Sequence, residues 1–350
     1  VKILYLYAEV MGYTMATIKA LVELGSDVHV VHWDRDKLTP YQIPDLPHLK
    51  KYPRSLYNYD SLRTLADELS PAITVVSGWQ DHDYVKVIKY LRNKGGIVVG
   101  ALDQRWHGTA RQHFVAMLGK FRYFNGLFSH AWIPGVYQYE YAKKLGFRNE
   151  EIIFDLYCAD LTLFHAAYDF YTNKKSFNYP HEFLYVGRLE RIKGLSTLLA
   201  AWKVLGSRRK DWELHLVGTG SLKDELNATP GIVVRDFMQP DKLVNEIAEA
   251  GCFILPSRSE PWGVVVHEFA AAGLPLILSD VVGAATAFLV PGLNGYFFKT
   301  NETKALAEAM SRIIGLTDNQ LLEMGHSSHQ LSKRITPLTS AKNLLSIHVF

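Results

Sequence analysis

The chain has 350 residues, more than a single hydrophobic core ordinarily organises and about right for two domains. Its 48% hydrophobic and 21% charged residues describe a soluble, folding chain with no long low-complexity segment to suggest disorder. The formal net charge of +3 is mild. No nucleic-acid-binding signature appears among the aromatics, which argues against a nucleic-acid partner and leaves small anions as ligands.

From its first residues the chain runs into "KILYLY", without a basic leader, a cleavable apolar segment or an 18-residue apolar stretch. We therefore expect a cytoplasmic protein with nothing that spans a membrane. Further strands read at "DVHVVHW", "AITVVS", "IVVGAL" and "HAWIP", with helical patterns at "TMATIKALVELG", "DYVKVIKYLRNKG" and "YQYEYAKKLGF" between them. Alternation of this kind marks βαβ units and a parallel sheet. It begins again at "HEFLYVGRL" and continues through "WELHLVG", "GIVVRDF", "CFILPS", "LPLILS" and "GYFF". Between the halves, "AAYDFYTNKKSFNYPHE" (166–182) is polar and aperiodic and reads as a linker. The expectation is an α/β chain of two Rossmann-like, doubly wound domains, 1–165 and 183–335, facing a central cleft. Cys158 and Cys252 form no CxxC pair, which fits two buried thiols in a reducing compartment and argues against structural zinc.

Ligands of such sheets bind beyond the C-terminal ends of the strands, so the loops after strands carry the functional candidates. "SEPWGVVVHEF" (259–269) follows "CFILPS" and precedes a helix ended by Gly273 and Pro275. Gly263 lets the backbone approach a ligand, and the first-turn N–H groups favour an anion. Glu260 stays in the loop while Glu268 lies about a turn and a half into the helix. Ionised carboxylates accept hydrogen bonds from adjacent sugar or ribose hydroxyls. Taken alone, the two acids read equally as a dipole-complementing loop acid and a solvated surface acid. "VGRLERIKG" (186–194) places Arg188 and Lys193 in another loop after a strand, where cations suit a diphosphate. "LVGTGSL" (216–222) adds Gly218 and Gly220, the latter reading as a tight βα turn.

The ordered set "VGRLERIKG", "LVGTGSLKDEL", "EPWGVVVHE", "FAAAGLPLILSD" and "VPGLNGYFF" resembles the retaining glycosyltransferases of family 4, which have the GT-B fold, and bacterial surface-polysaccharide enzymes in particular. The resemblance implies a nucleotide diphosphate sugar as co-substrate, with Arg188 and Lys193 on its diphosphate and Glu268 on its ribose. Glu260 would hold hydroxyls of the transferred sugar, and the backbone around Trp262, Gly263 and Val264 would help at sugar and phosphate. Gly218 would lie close to the donor. Phe237 and Met238 fall where the family lines the nucleobase, with core or cleft filling as the alternative. The resemblance further implies that a final helix, 336–350, crosses back onto the first domain.

The first half matches less well. Gly12 sits after the first strand, and "CADLTLF" (158–164) resembles a family ending through Asp160 and Phe164 alone. Where many members place a His after the fourth strand, this chain reads "GALDQRWHGTARQ" (100–112), similar to the "D-N-Q-W-x-G" stretch of some surface-polysaccharide enzymes. Asp103 is the favoured contact for the acceptor hydroxyl, with His107 as the alternative, and Trp79 is either an acceptor platform or a buried aromatic. Asp81-His82-Asp83 and Asp34-Arg35-Asp36 are both D-x-D patterns; we read the first as a helix cap and expect neither metal nor cofactor, since the 14 His show no ligand spacing. "FVAMLGKFRYFNGLFSHAW" (114–132) reads first as a core-facing helix and loop. With Lys120 and Arg122 it also suits a peripheral bilayer contact for a glycan or lipid-linked acceptor. The expected activity is transfer of a hexosyl-type sugar to an acceptor hydroxyl with retention of configuration, in polysaccharide biosynthesis. A phosphorylase or synthase of the same architecture and a non-catalytic nucleotide- or sugar-binding protein remain alternatives. So does a tandem-Rossmann oxidoreductase, though no G-x-G-x-x-G follows "KILYLY".

Overall fold

The computed structural model describes residues 1–35, 41–121 and 123–348. The chain forms two compact units, residues 1–158 with 335–350, and residues 159–334. In the first, seven strands form one parallel sheet: β1 (Lys2–Tyr7), β2 (Asp27–His32), β3 (Leu49–Pro53), β4 (Ile73–Val76), β5 (Ile97–Ala101), β6 (His130–Trp132) and β7 (Ile152–Ile153). Their order is β3-β2-β1-β4-β5-β6-β7. The second unit holds β8 (Glu182–Val186), β9 (Glu213–Val217), β10 (Ile232–Arg235), β11 (Cys252–Leu255), β12 (Leu276–Ser279) and β13 (Gly295–Phe298), ordered β10-β9-β8-β11-β12-β13 and again parallel. Each order reverses once, at β1/β4 and at β8/β11. Sheets of this kind bind ligands beyond the C-terminal ends of the strands at such a reversal.

The central strands, such as β4 and β11, are buried on both faces, which is why they read as continuous apolar runs. In β1, Ile3, Tyr5 and Tyr7 enter one core cluster while Leu4 and Leu6 enter another on the opposite face. The helix Pro337–Ser346 belongs to the first of these clusters through Ala341 and Leu344. Thr17 Oγ1 and Ser340 Oγ lie 3.2 Å apart where it packs on the helix Gly12–Glu23.

Three sequence expectations differ from the fold. β3 and β7 went unread, because "LKKYP" is half-exposed without alternation and β7 has two residues. The supposed linker is mostly the helix Leu161–Phe177, inside the second unit, with the division between units at residue 158. Its periodicity is masked by aromatics that face solvent, Phe170 and Phe177, while a lysine takes a buried position. Lys175 donates to the Ala250 carbonyl at 2.7 Å, and burial pulls its pKa down to about 7. The segment 114–132, thirdly, is split. Phe124, Leu127 and Phe128 are buried, but Phe114, Met117, Phe121 and Tyr123 are exposed. Arg122 lies outside the described residues, as do Asp36 and the last two residues of the segment 336–350. Cys158 and Cys252 are buried free thiols.

Asp81 caps the helix His82–Asn93 by accepting from the backbone N–H groups of Asp83 and Tyr84. It also accepts from Arg54 at 2.9 and 3.0 Å, and Arg54 reaches Asp83 at 3.0 Å. Asp34 likewise accepts from the N–H and hydroxyl of Ser55. These acids are therefore structural, and Asp81→Ala is expected to lower stability by about 1–3 kcal/mol through the lost cap and the two lost hydrogen bonds from Arg54, which keeps Asp83 as a partner, read from the denaturant midpoint.

Candidate functional site

In the second unit, three loops converge at the C-terminal ends of β8, β9 and β11. The loop after β8 ends in a short 3-10 turn, Arg191–Lys193, and is bound to the loop after β9 by backbone hydrogen bonds: Leu189 N–H to Thr219 O, 2.8 Å, and Leu222 N–H to Leu189 O, 3.0 Å. Glu190 reinforces this junction by accepting from the N–H and hydroxyl of Ser221 at 2.9 and 2.6 Å. The contact is too close for side chains. A Cβ on Gly218 would lie 1.9 Å from the Gly187 carbonyl oxygen, and one on Gly220 2.5 Å from that of Leu189. Gly220 is thus more than a tight turn. On the other side, Arg258 N–H donates to Ile192 O at 2.9 Å, and Gly194, at φ +72°, presses against the Pro256 carbonyl, which its Cβ would approach to 1.8 Å.

These close approaches bring Lys193 onto Glu260. The Lys193 Nζ donates to Glu260 Oε2 at 2.5 Å, and Ser257 Oγ donates to the same oxygen at 3.0 Å. Both side chains are mostly buried, 17% and 12% exposed. Arg188, whose carbonyl accepts from the Tyr185 hydroxyl at 2.8 Å, is exposed, and its guanidinium has no partner among the described residues. The first-turn N–H groups of the helix Val264–Ala271 follow Gly263, at φ +90°. The Trp262 indole is buried, leaving only its backbone for a ligand. Its carbonyl accepts from Ala284 N–H, and that of Glu260 from Gly283 N–H, so the loop is held on both sides. Phe237 is exposed and Met238 half-buried just after β10.

Glu268 is half-buried and its carboxyl accepts no hydrogen bond from a described residue. Burial, with the nearby Asp160 carboxylate adding to it, pushes its pKa up to about 7. It is not a solvated surface acid. Beside it, fully buried His267 accepts from Ala159 N–H at Nδ1, 3.0 Å, and donates from Nε2 to the Ser332 carbonyl, 2.8 Å. Burial lowers its pKa to about 4 and keeps the ring neutral.

The first unit contains a cavity of about 380 Å3 beyond β4 and β5, lined by Trp79, Asp103, His107, Arg111 and Tyr141 among others. Asp103 is raised above the ordinary carboxylate range by burial, opposed by the Tyr157 hydroxyl that donates to it at 3.3 Å. Gln138 donates to its backbone carbonyl at 3.1 Å. Trp79 is half-buried, lining the cavity while its ring packs 5.1 Å from Phe124. Gly12 opens the helix Gly12–Glu23 and does not line this cavity. The sequence reading missed Arg111, Gln112, Gln80 and Gln104, all on the wall; their only signal was their place in loops after strands and at a helix start. Among the described residues no three His, Cys, Asp or Glu side chains converge as a metal-binding group.

Known proteins resemble the chain in sequence over part of its length and in fold over nearly all of it. Residues 180–315 match the family described as Glycosyl transferases group 1. A stretch of 142 residues is 32% identical to a glycogen synthase of Mycobacterium tuberculosis (strain CDC 1551 / Oshkosh), covering 39% of this chain and 34% of that protein. The chain therefore spans about a third of this curated relative. In three dimensions it is similar to sucrose-phosphate synthase from Thermosynechococcus elongatus, with TM-score 0.73, 18% identity and 99% and 97% of the two chains covered. It is also similar to HepE of Anabaena in complex with UDP-glucose, with TM-score 0.72, 14% identity and 99% and 98% covered. At these identities the likeness establishes the fold, which is that of GT-B glycosyltransferases.

The raised Glu268 predicts its own signature in stability. The native state holds this proton where the unfolded chain has released it, so the contribution of Glu268 falls as pH rises from about 4.5 to about 7. Glu268→Gln is expected to gain stability relative to wild type across that window and to hold the gain above it, measured by denaturant titration at a series of pH values.

Proposed function

We propose that the chain is a retaining glycosyltransferase of family 4 that moves a hexosyl-type sugar from a nucleoside diphosphate sugar to an acceptor hydroxyl in polysaccharide biosynthesis. The observation that carries the reading is the convergence of Arg188, Lys193, Glu260 and the helix start at Gly263 within the segment that matches group 1 glycosyl transferases. The unpartnered Arg188 and the Lys193 ammonium supply positive charge for a diphosphate, and charge-assisted hydrogen bonds strengthen as the leaving group gains charge. Glu260 keeps one oxygen on Lys193 and Ser257, which leaves its other oxygen for sugar hydroxyls. Glu268 takes the ribose, and Gly218, Phe237, Met238 and the backbone of Trp262, Gly263 and Val264 complete the donor site.

On this reading the leaving diphosphate takes the acceptor proton on the same face of the sugar. No protein nucleophile, metal or cofactor is then required, because the two cations occupy the place of a metal's charge. Asp103, with Trp79 and His107 beside it, contacts the acceptor in the cavity of the first unit, and Gly12 belongs to the donor side. Calorimetric titration with UDP, GDP and ADP, without metal and then with manganese, is expected to show metal-independent binding of one diphosphate. Arg188→Ala and Lys193→Ala should each weaken it by about tenfold or more, and Glu260→Gln should abolish sugar transfer while retaining diphosphate binding. Wild-type turnover in Glu260→Gln overturns the role of that acid.

We further propose a cytoplasmic protein that touches the membrane peripherally to meet a lipid-linked glycan. No helix among the described residues is long and apolar enough to cross a membrane. The helix Ala110–Lys120 and the turn after it nevertheless expose Phe114, Met117, Phe121 and Tyr123, at 60%, 46%, 80% and 54%. An apolar stripe flanked by cations suits an anionic lipid surface. The full chain is expected to float with phosphatidylglycerol vesicles and not with phosphatidylcholine vesicles, and the double substitution Phe114→Ser with Phe121→Ser to remain in solution. Equal partition of wild type and variant sinks the contact.

A further inference from the structure

The cavity of the first unit is asymmetric in charge. Asp103 stands on one part of its lining, whereas the wall that continues through Gln104, His107, Thr109, Arg111 and Gln112 carries no acid. From residue 104 to residue 139 the sequence contains neither Asp nor Glu. Within that stretch, Arg105 is occupied over the Tyr137 ring at 4.2 Å. Arg111, by contrast, lines the cavity, is exposed, and has no hydrogen bond or ion pair to a described residue. Its charge reaches the phenol of Tyr141 on the same lining, where it opposes the upward shift that burial imposes.

The wall bearing Arg111 is fixed before any ligand arrives. The Gln112 side chain accepts from His107 N–H and donates to the Arg105 carbonyl, each at 2.7 Å, which ties the preceding loop to the helix start. Thr109 caps the helix Ala110–Lys120 by accepting from Gln112 N–H. Arg111 therefore projects from the first turn of an eleven-residue helix, where the backbone N–H groups add a positive field. A cavity of about 380 Å3 accommodates a sugar unit.

We propose, resting on the transfer reading above, that the acceptor is an acidic sugar. Its carboxylate or phosphate is held by Arg111 and the first turn of the Ala110–Lys120 helix, its ring rests on Trp79, and its accepting hydroxyl faces Asp103. The planar guanidinium fork matches either anion with paired hydrogen bonds. A neutral sugar leaves that fork without a partner, so the discrimination lies in Arg111. The residue is a specificity determinant and takes no part in bond making.

Calorimetric titration of the full chain with glucose, glucuronate, glucose 6-phosphate and inorganic phosphate tests this. The expected result is that at least one acidic sugar binds about tenfold or more tightly than glucose, with the advantage shrinking in high salt. Which of the two binds better identifies the anion as carboxylate or phosphate. Arg111→Gln is expected to bring the acidic sugars to the level of glucose, and Lys89→Gln, an exposed cation of the same unit outside the cavity, to leave the preference intact. Because Arg111 is exposed, an unchanged melting curve confirms that its substitution is local. Equal binding of glucose and both acidic sugars, binding of neither acidic sugar, or a preference that survives Arg111→Gln overturns the proposal. Inorganic phosphate that binds as tightly as glucose 6-phosphate overturns the sugar part of it. Failure here is separable from failure of the transfer reading, which the diphosphate titration tests on residues of the other unit.

Discussion

The candidate donor site depends on one ion pair, the 2.5 Å contact of Lys193 with Glu260. The two residues are 67 positions apart and meet because β8 and β11 are neighbours at the reversal of the strand order. The pair is mostly removed from water, where an unpaired charge of either sign is costly, so each side chain holds the other in place. Ser257 adds a neutral donor to the shared oxygen. A cation and an anion are thereby presented together at the mouth of a sheet. That combination suits a ligand with both phosphate oxygens and hydroxyl groups.

What permits this contact is the absence of side chains nearby. Gly194 lies against Pro256, Gly218 against Gly187, Gly220 against Leu189, and Gly283 against Pro261, each at a distance that a Cβ would close below 3 Å. The loops are consequently joined backbone to backbone, and the polar side chains among them are left for a ligand or for one another. Such pre-organisation matters because a site that must rearrange to meet developing charge loses much of its electrostatic advantage. Glu268 and His267 extend the arrangement into the helix behind the loop, one poised near neutrality and the other locked in a single tautomer by its two backbone partners.

The first unit solves a different problem. Among the described residues no ion pair is found on the lining of its cavity, which combines an aromatic surface, amide side chains, one half-buried acid and one free guanidinium. Asp103 was legible because it immediately follows a strand, and His107 because it follows four residues later. Arg111 and Gln112 were not. In sequence they look like the solvated start of a helix, and only the folded chain brings that helix start onto one cavity lining with the loops after β4 and β5. The exposed Phe114, Met117 and Phe121 were misread for the related reason that an apolar stripe in sequence does not say which way it faces. The same ambiguity concealed the helix Leu161–Phe177, where aromatics face water and a lysine is buried.

The sequence by itself determined the class of fold, since continuous apolar strands alternating with amphipathic helices can bury their surfaces only as parallel sheets covered on both faces. It also singled out the loops after β8, β9 and β11 and, in and beside them, Arg188, Lys193, Glu260, Gly263 and Glu268 as the candidate residues of the second unit. The tertiary structure alone decided who partners whom. The Lys193–Glu260 pair, the raised carboxyl of Glu268 and the Arg111 wall all depend on distances and burial between segments far apart in the chain. Local sequence carries little of that information, because electrostatic strength is set by what surrounds a charge after folding and not by the residue that bears it.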